Sequence, residues 1–103
     1  MSKLKMYILV LDSIESGIAA SAIAHAALGT YLAYQHDEKM EAWKNGVFYK
    51  VVCLVNKKEF ERAKTFDKNA VFTESSLDGQ EVAIGFCPRE EWPKLFKFYR
   101  LYR

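Results

Sequence analysis

At 103 residues the chain is long enough for one domain with a single core and too short for two. Half of the residues are apolar, 15% are aromatic and 27% are charged, which excludes a chain disordered by composition. Fifteen basic and 13 acidic residues leave a net charge of +2, so the sequence is not a strongly basic nucleic-acid-binding domain, although a local contact with phosphate stays open.

Lys5–Leu11 (KMYILVL) is a nearly continuous apolar run ending at Asp12-Ser13, as expected of a central strand buried on both faces. Ser13 and Ser16 are both N-cap residue types for a long helix expected over Gly17–Gln35. Between Ala19 and Gly29 that helix is almost entirely small residues, with neither face marked as polar. Alanine favours helix, small side chains allow close approach to a sheet or ligand, and the missing polar face predicts a helix covered on most sides. Asp37–Asn45 reads as a short second helix turning Met40 and Trp43 inward and stopped at Asn45-Gly46.

Val47–Val55 (VFYKVVCLV) has the strongest strand character in the chain. Lys57–Phe66 is amphipathic, with Phe60, Ala63 and Phe66 on one side of a helix. Asn69–Ser75 is a third strand, Leu77–Gln80 a turn and Glu81–Phe86 a fourth strand. Arg89–Phe96 is expected to form a helical turn opened by Pro88, and Phe98–Tyr102 a short last strand. The expected order is β-α-α-β-α-β-β-α-β. It describes one α/β domain over 1–103, with a mixed four- to five-stranded sheet and helices on both faces. Helical crossovers predict parallel pairing of the first strand with the second and of the second with the third. The turn after strand three permits one antiparallel pair.

Cys53 and Cys87 each sit inside an apolar run and read as reduced core residues of a cytoplasmic protein. Metal-ligand types do not cluster, so neither a metal nor another cofactor is expected. No apolar run reads as long enough for a membrane span, and Asp12 and Glu15 interrupt any secretory apolar region.

Few side chains suggest chemistry. His25 sits mid-helix among alanines, as a core histidine held by one hydrogen bond or as a proton donor or acceptor lining a pocket. His36, beside Asp37, is explained by helix capping. Glu74, Asp12 and Ser13 follow strands, at the carboxyl ends where α/β sheets gather ligands. They are turn formers and caps, or parts of a site in which two carboxylates do acid/base work. Gly17, at a helix N-terminus, has backbone N–H groups able to hold an anion, which Glu15 would oppose. The sequence contains no GxGxxG, Walker A, GxSxG, HExxH or CxxC.

The strand Lys5–Leu11 followed by Gly17-Ile18-Ala19-Ala20-Ser21-Ala22-Ile23-Ala24-His25-Ala26 resembles the type-2 peptidyl-tRNA hydrolase family. That family opens with a strand and a helix reading roughly G-K-x-A-x-Q-x-x-H-A. Tyr49–Val55, Lys57–Phe66, Ala83–Pro88 with its Gly-x-x-Pro turn, and Leu95–Leu101 extend the likeness over most of the chain. The resemblance implies a type-2 peptidyl-tRNA hydrolase-like fold. The family's lysine position falls on Ile18, its glutamine on Ala22, and its aspartate after strand three on Glu74. A developing oxyanion and a tRNA phosphate both need the missing positive charge. What remains of the implied pocket wall is Ile18, Ala22, His25 and Gly29, spaced along one helix face.

Three functional expectations follow. The leading one is a non-catalytic domain of this fold that holds a small, nucleotide-like ligand or a partner in the former active-site cleft. A second is a divergent hydrolase cleaving peptidyl-tRNA with His25 and Glu74, its tRNA held by the basic segment Lys94, Lys97, Arg100 and Arg103. The third is an interaction module, a homo-oligomer joined through aromatic residues among Trp43, Tyr49, Trp92, Phe96, Phe98, Tyr99 and Tyr102.

Overall fold

The computed structural model describes residues 3–103. Five strands, β1 (Met6–Leu11), β2 (Lys50–Val55), β3 (Asn69–Glu74), β4 (Gln80–Phe86) and β5 (Arg100–Leu101), form one mixed sheet in the order β3-β4-β1-β2-β5. The helices are α1 (Ser16–Ala33), α2 (Glu38–Lys44) and α3 (Lys57–Ala63), with short 3₁₀ turns at Ser75–Leu77 and Lys94–Phe98.

The unbroken apolar run of β1 matches its central position, and all six of its residues are buried. Side chains alternate across a strand. Met6 and Ile8 therefore join the core beneath α1 and α2, while Tyr7, Leu9 and Leu11 join the core beneath α3. Helices thus cover both faces. α3 begins with a reciprocal cap, in which Asn56 accepts from the Glu59 N–H and Glu59 accepts from the Asn56 N–H, both at 2.8 Å.

Strand pairing follows the expectation in part. β1 and β2 are parallel, and β3 and β4 are antiparallel. β2 and β3 are not neighbours: α3 carries the chain across to the opposite edge, where β3 pairs only with β4. β4 also pairs antiparallel with β1, and β5 antiparallel with β2.

Several local expectations are corrected. α1 is capped by Glu15, whose carboxylate accepts from the Gly17 N–H at 2.9 Å, rather than by Ser13 or Ser16. α1 ends at Ala33, two residues before Gln35. β2 starts at Lys50 instead of Val47, because Phe48 has φ 72° and breaks the extended backbone. The helical turn expected over Arg89–Phe96 forms only at Lys94–Phe98, because Pro93 favours extended backbone before it. α1 is also uncharged over 18 residues, so length and composition alone would let it cross a membrane, contrary to the reading that no run is long enough. In the fold it lies instead across β3, β4 and β1. Its cover is one-sided: Ala19, Ala22, Ala26 and Thr30 are buried, while Ala20, Ala24, Leu28 and Leu32 are exposed.

Candidate ligand cleft

An open cleft of about 600 Å³ lies between α1 and the β3–β4 hairpin. Ser21, Ala22 and His25 form its helix wall, and Phe72, Thr73, Glu74 and Val82 form its sheet wall. Ser75, Asp78 and Gly79 close one end.

Local sequence explains each wall. Ser21 and His25 are one helical turn apart and share a face of α1. The pairing of β3 with β4 shifts between Phe72 and Thr73, where Phe72 opposes Ala83 and Thr73 opposes Glu81, leaving Val82 as the extra residue. Such a bulge kinks a strand and re-aims its side chains. In the tight connection, Asp78 (φ 54°) and Gly79 (φ 76°) are both left-handed, and the Gly79 N–H donates to the Glu74 carbonyl at 3.0 Å. Asp tolerates this region better than most residues and Gly enters it without strain.

Glu74 is fixed from its own loop. Its Oε2 accepts from the Ser76 hydroxyl at 2.7 Å and the Ser76 N–H at 3.2 Å. The Ser76 hydroxyl, then its N–H, and the nearby His25 favour the charged carboxylate and hold its pKa below the ordinary glutamate value. A general base works best with a pKa near the working pH, so this carboxylate is arranged to stay ionised and to bind. The His25 ring meets the Phe72 ring edge-on, with centroids 5.7 Å apart. Among the described residues no hydrogen bond joins His25 to Glu74, Asp78 or Ser21, so a hydrogen-bonded nucleophile–base pair is not assembled.

The structure brings His25, Glu74 and Ala22 together and places the other sequence candidates elsewhere. Glu74 ends β3 and Asp12 follows β1, with β4 between those strands, so the two strands are separated by about 10 Å, two strand spacings. Asp12 turns the opposite way and pairs with Arg100 at 2.7 Å. Ser13 is exposed in the turn after β1, and neither it nor Asp12 lines the cleft. At Gly17 the Glu15 carboxylate already occupies the N–H that an anion would use. Ile18 is half-buried and outside the cleft. Gly29 is taken up by packing: a Cβ there would stand 2.2 Å from Phe72 Cε1. The helix wall is therefore Ser21, Ala22 and His25 rather than Ile18, Ala22, His25 and Gly29.

Ser21, Phe72, Thr73, Ser75, Asp78, Gly79 and Val82 were not singled out from sequence as site residues. Only three had a readable signal, Ser21 through its spacing from His25 and Asp78 and Gly79 through turn chemistry. The cleft's charge is equally unforeseen. Glu74 and Asp78 line it, and none of its ten lining residues is Lys or Arg. Among the described residues no cluster of three potential metal ligands forms.

The basic C-terminal segment does not face this cleft. Arg100 is engaged by Asp12, and Lys97 lies in a separate depression with Lys3, Lys5, Tyr7 and Trp92. Tyr7 belongs to the core on the α3 face, whereas Ala22 and Val82 of the cleft belong to the α1 face.

No protein-family model matches the chain, and no curated protein is significantly similar to it.

Proposed function

We propose that this chain is a non-catalytic domain with a type-2 peptidyl-tRNA hydrolase-like fold, and that the His25–Glu74 cleft holds a small ligand. The observation that carries this reading is the charge of the cleft, two carboxylates with no lysine or arginine. Such a site attracts a cationic group or a cluster of hydrogen-bond donors and repels phosphate. The nucleotide-like ligand expected from sequence is thereby narrowed to a base or nucleoside with an exocyclic amine, or another small amine. Glu74 accepts the donor, and His25 and Phe72 supply an aromatic wall.

A divergent hydrolase is the second reading, favoured by His25 and Glu74 lining one cleft. It lacks a cation near the reacting ester and has a carboxylate tuned away from base chemistry.

Titration of the His25 ring signals by NMR with adenosine, AMP and a simple primary amine separates the outcomes. Adenosine or the amine is expected to shift His25, and AMP to shift it far less. Equal silence from all three probes would remove the ligand reading. Cleavage of peptidyl-tRNA above the uncatalysed rate, lost in His25→Ala, would establish the hydrolase instead.

A further inference from the structure

We propose that the outward face of α1 is the interface of a homodimer, formed with a second copy of this chain through a two-fold axis near Leu28. From Ser16 to Ala33 the helix carries no charged residue, and the row Ala20, Ala24, Leu28, Leu32 points away from the sheet at one-turn intervals. Leu28 is 62% exposed and Leu32 54%. A surface helix of a monomer ordinarily turns a charged stripe to water, and this one has none.

A second, independent feature adjoins that row. Val47, Phe48 and Tyr49 stand exposed before β2, and Phe48 holds φ 72° while its ring stacks on Trp43 at 4.3 Å. A bulky residue at positive φ is a strained placement that its surroundings must maintain. Here the placement leaves Phe48 as one wall of an apolar groove of about 390 Å³, shared with Leu28, Tyr31 and Trp43 and rimmed by Lys44 and Lys50. Tyrosine, tryptophan and phenylalanine around an apolar centre are the composition of an interface core. Of the aromatic residues named from sequence as a dimer surface, Trp43 and Tyr49 lie at this patch, whereas Phe96 and Tyr99 are buried and Trp92 and Tyr102 half-buried elsewhere.

Charge selects a second copy as the occupant. One flank of the α1 stripe carries Lys50 and Lys44, the latter also paired with Glu41 at 3.3 Å, and the other carries Glu74 and Asp78. An isologous dimer places each patch against the same patch rotated by a half-turn. With the axis at Leu28, which itself lines the groove, the lysine flank of each copy can face the carboxylate flank of the other. The helix is about 27 Å long and about 10 Å wide, and with the Phe48 shelf beside it the footprint is on the order of 500 Å². That is close to the roughly 600 Å² per partner at the lower end of specific interfaces.

Sedimentation equilibrium over a wide concentration range tests the proposal, with Leu28→Lys and Phe98→Lys variants beside the natural chain. Both positions are exposed, and Phe98, 73% exposed in the turn on the α3 face, is the control. The natural chain and Phe98→Lys are expected to dimerise equally, and Leu28→Lys to raise the dissociation constant at least tenfold while its circular dichroism is unchanged. A natural chain that remains at 11.9 kDa throughout would overturn the proposal, as would Leu28→Lys associating like the natural chain. Binding of the monomer to anionic lipid vesicles through Leu28 would also overturn it, by giving the face to a membrane surface.

Discussion

The two faces of the sheet are packed in opposite ways. On the α3 face the Phe96 ring stands 5.1 to 5.4 Å from the rings of Tyr7, Phe66, Phe86, Trp92 and Tyr99. On the other face α1 meets the sheet through small residues, Ala19, Ala22, Ala26 and Thr30. Thr30 fills the space over Gly85, where a Cβ would stand 1.8 Å from its Oγ1, and Phe72 fills the space over Gly29. Large rings reach across a wide gap and seal it. Small side chains draw the helix down onto the strands, leave its outer surface uncovered, and open a cleft where the hairpin diverges from it. The sealed face supplies stability, and the proposed functions lie on the other.

The comparison breaks most sharply at Phe96. Phe96→Ala removes the ring on which the aromatic cluster converges and is expected to cost about 3–5 kcal/mol in denaturant unfolding. It leaves the cleft walls in place. Loss of ligand-induced His25 shifts at a temperature where this variant is folded would show the two faces to be coupled.

Gly29→Ala probes the α1 face with a single methyl. Alanine adds about 1 kcal/mol of helix propensity, but overpacking against the Phe72 ring costs about 1–3 kcal/mol, for an expected net loss of about 1 kcal/mol. Because Phe72 also lines the cleft, ligand affinity should change together with stability. Unchanged stability would mean that the helix lifts away from β3 at no cost.

The smallest effect is confined to acid. Glu74 has a lowered folded pKa, so its contribution is present above the unfolded value near about 4.3 and is lost as pH falls through the folded value. Thermal melts of the natural chain and Glu74→Gln should differ at neutral pH and converge in acid. Curves separated by the same amount at every pH would mean that the carboxylate charge is not what Ser76 and His25 stabilise.

The burial of both cysteines agrees with their apolar context in the sequence. Burial pushes the thiols up to about 11 at Cys53 and about 12 at Cys87, with Asp37 adding to the rise at Cys87. Both are therefore held as unreactive thiols at neutral pH.

Much of the architecture was legible from the order of residues. The unbroken run of β1, the β-branched residues of β2 and the spacing of Phe60 and Ala63 are local signals, and they led to the central strand, its parallel neighbour and the covering helix. Glu74 and His25 were recognisable one at a time, by residue type and by place in an element. The antiparallel pairing of β3 with β4 was legible from the turn between them, but the edge of the sheet that β3 takes was not, because a helical crossover permits either edge. Placement beside β4 satisfies the short Asp78-Gly79 connection and the bulge at Val82 together.

That placement also decided the site. The sequence by itself determined the elements, the two buried thiols and an 18-residue helix with no charge. Tertiary structure alone decided that β3 lies under α1 beside His25 and that Asp12 turns away to Arg100. It also decided which side of α1 stays bare. Local propensities act over a few residues, whereas these relations join positions up to 88 residues apart and exist only once the sheet has closed.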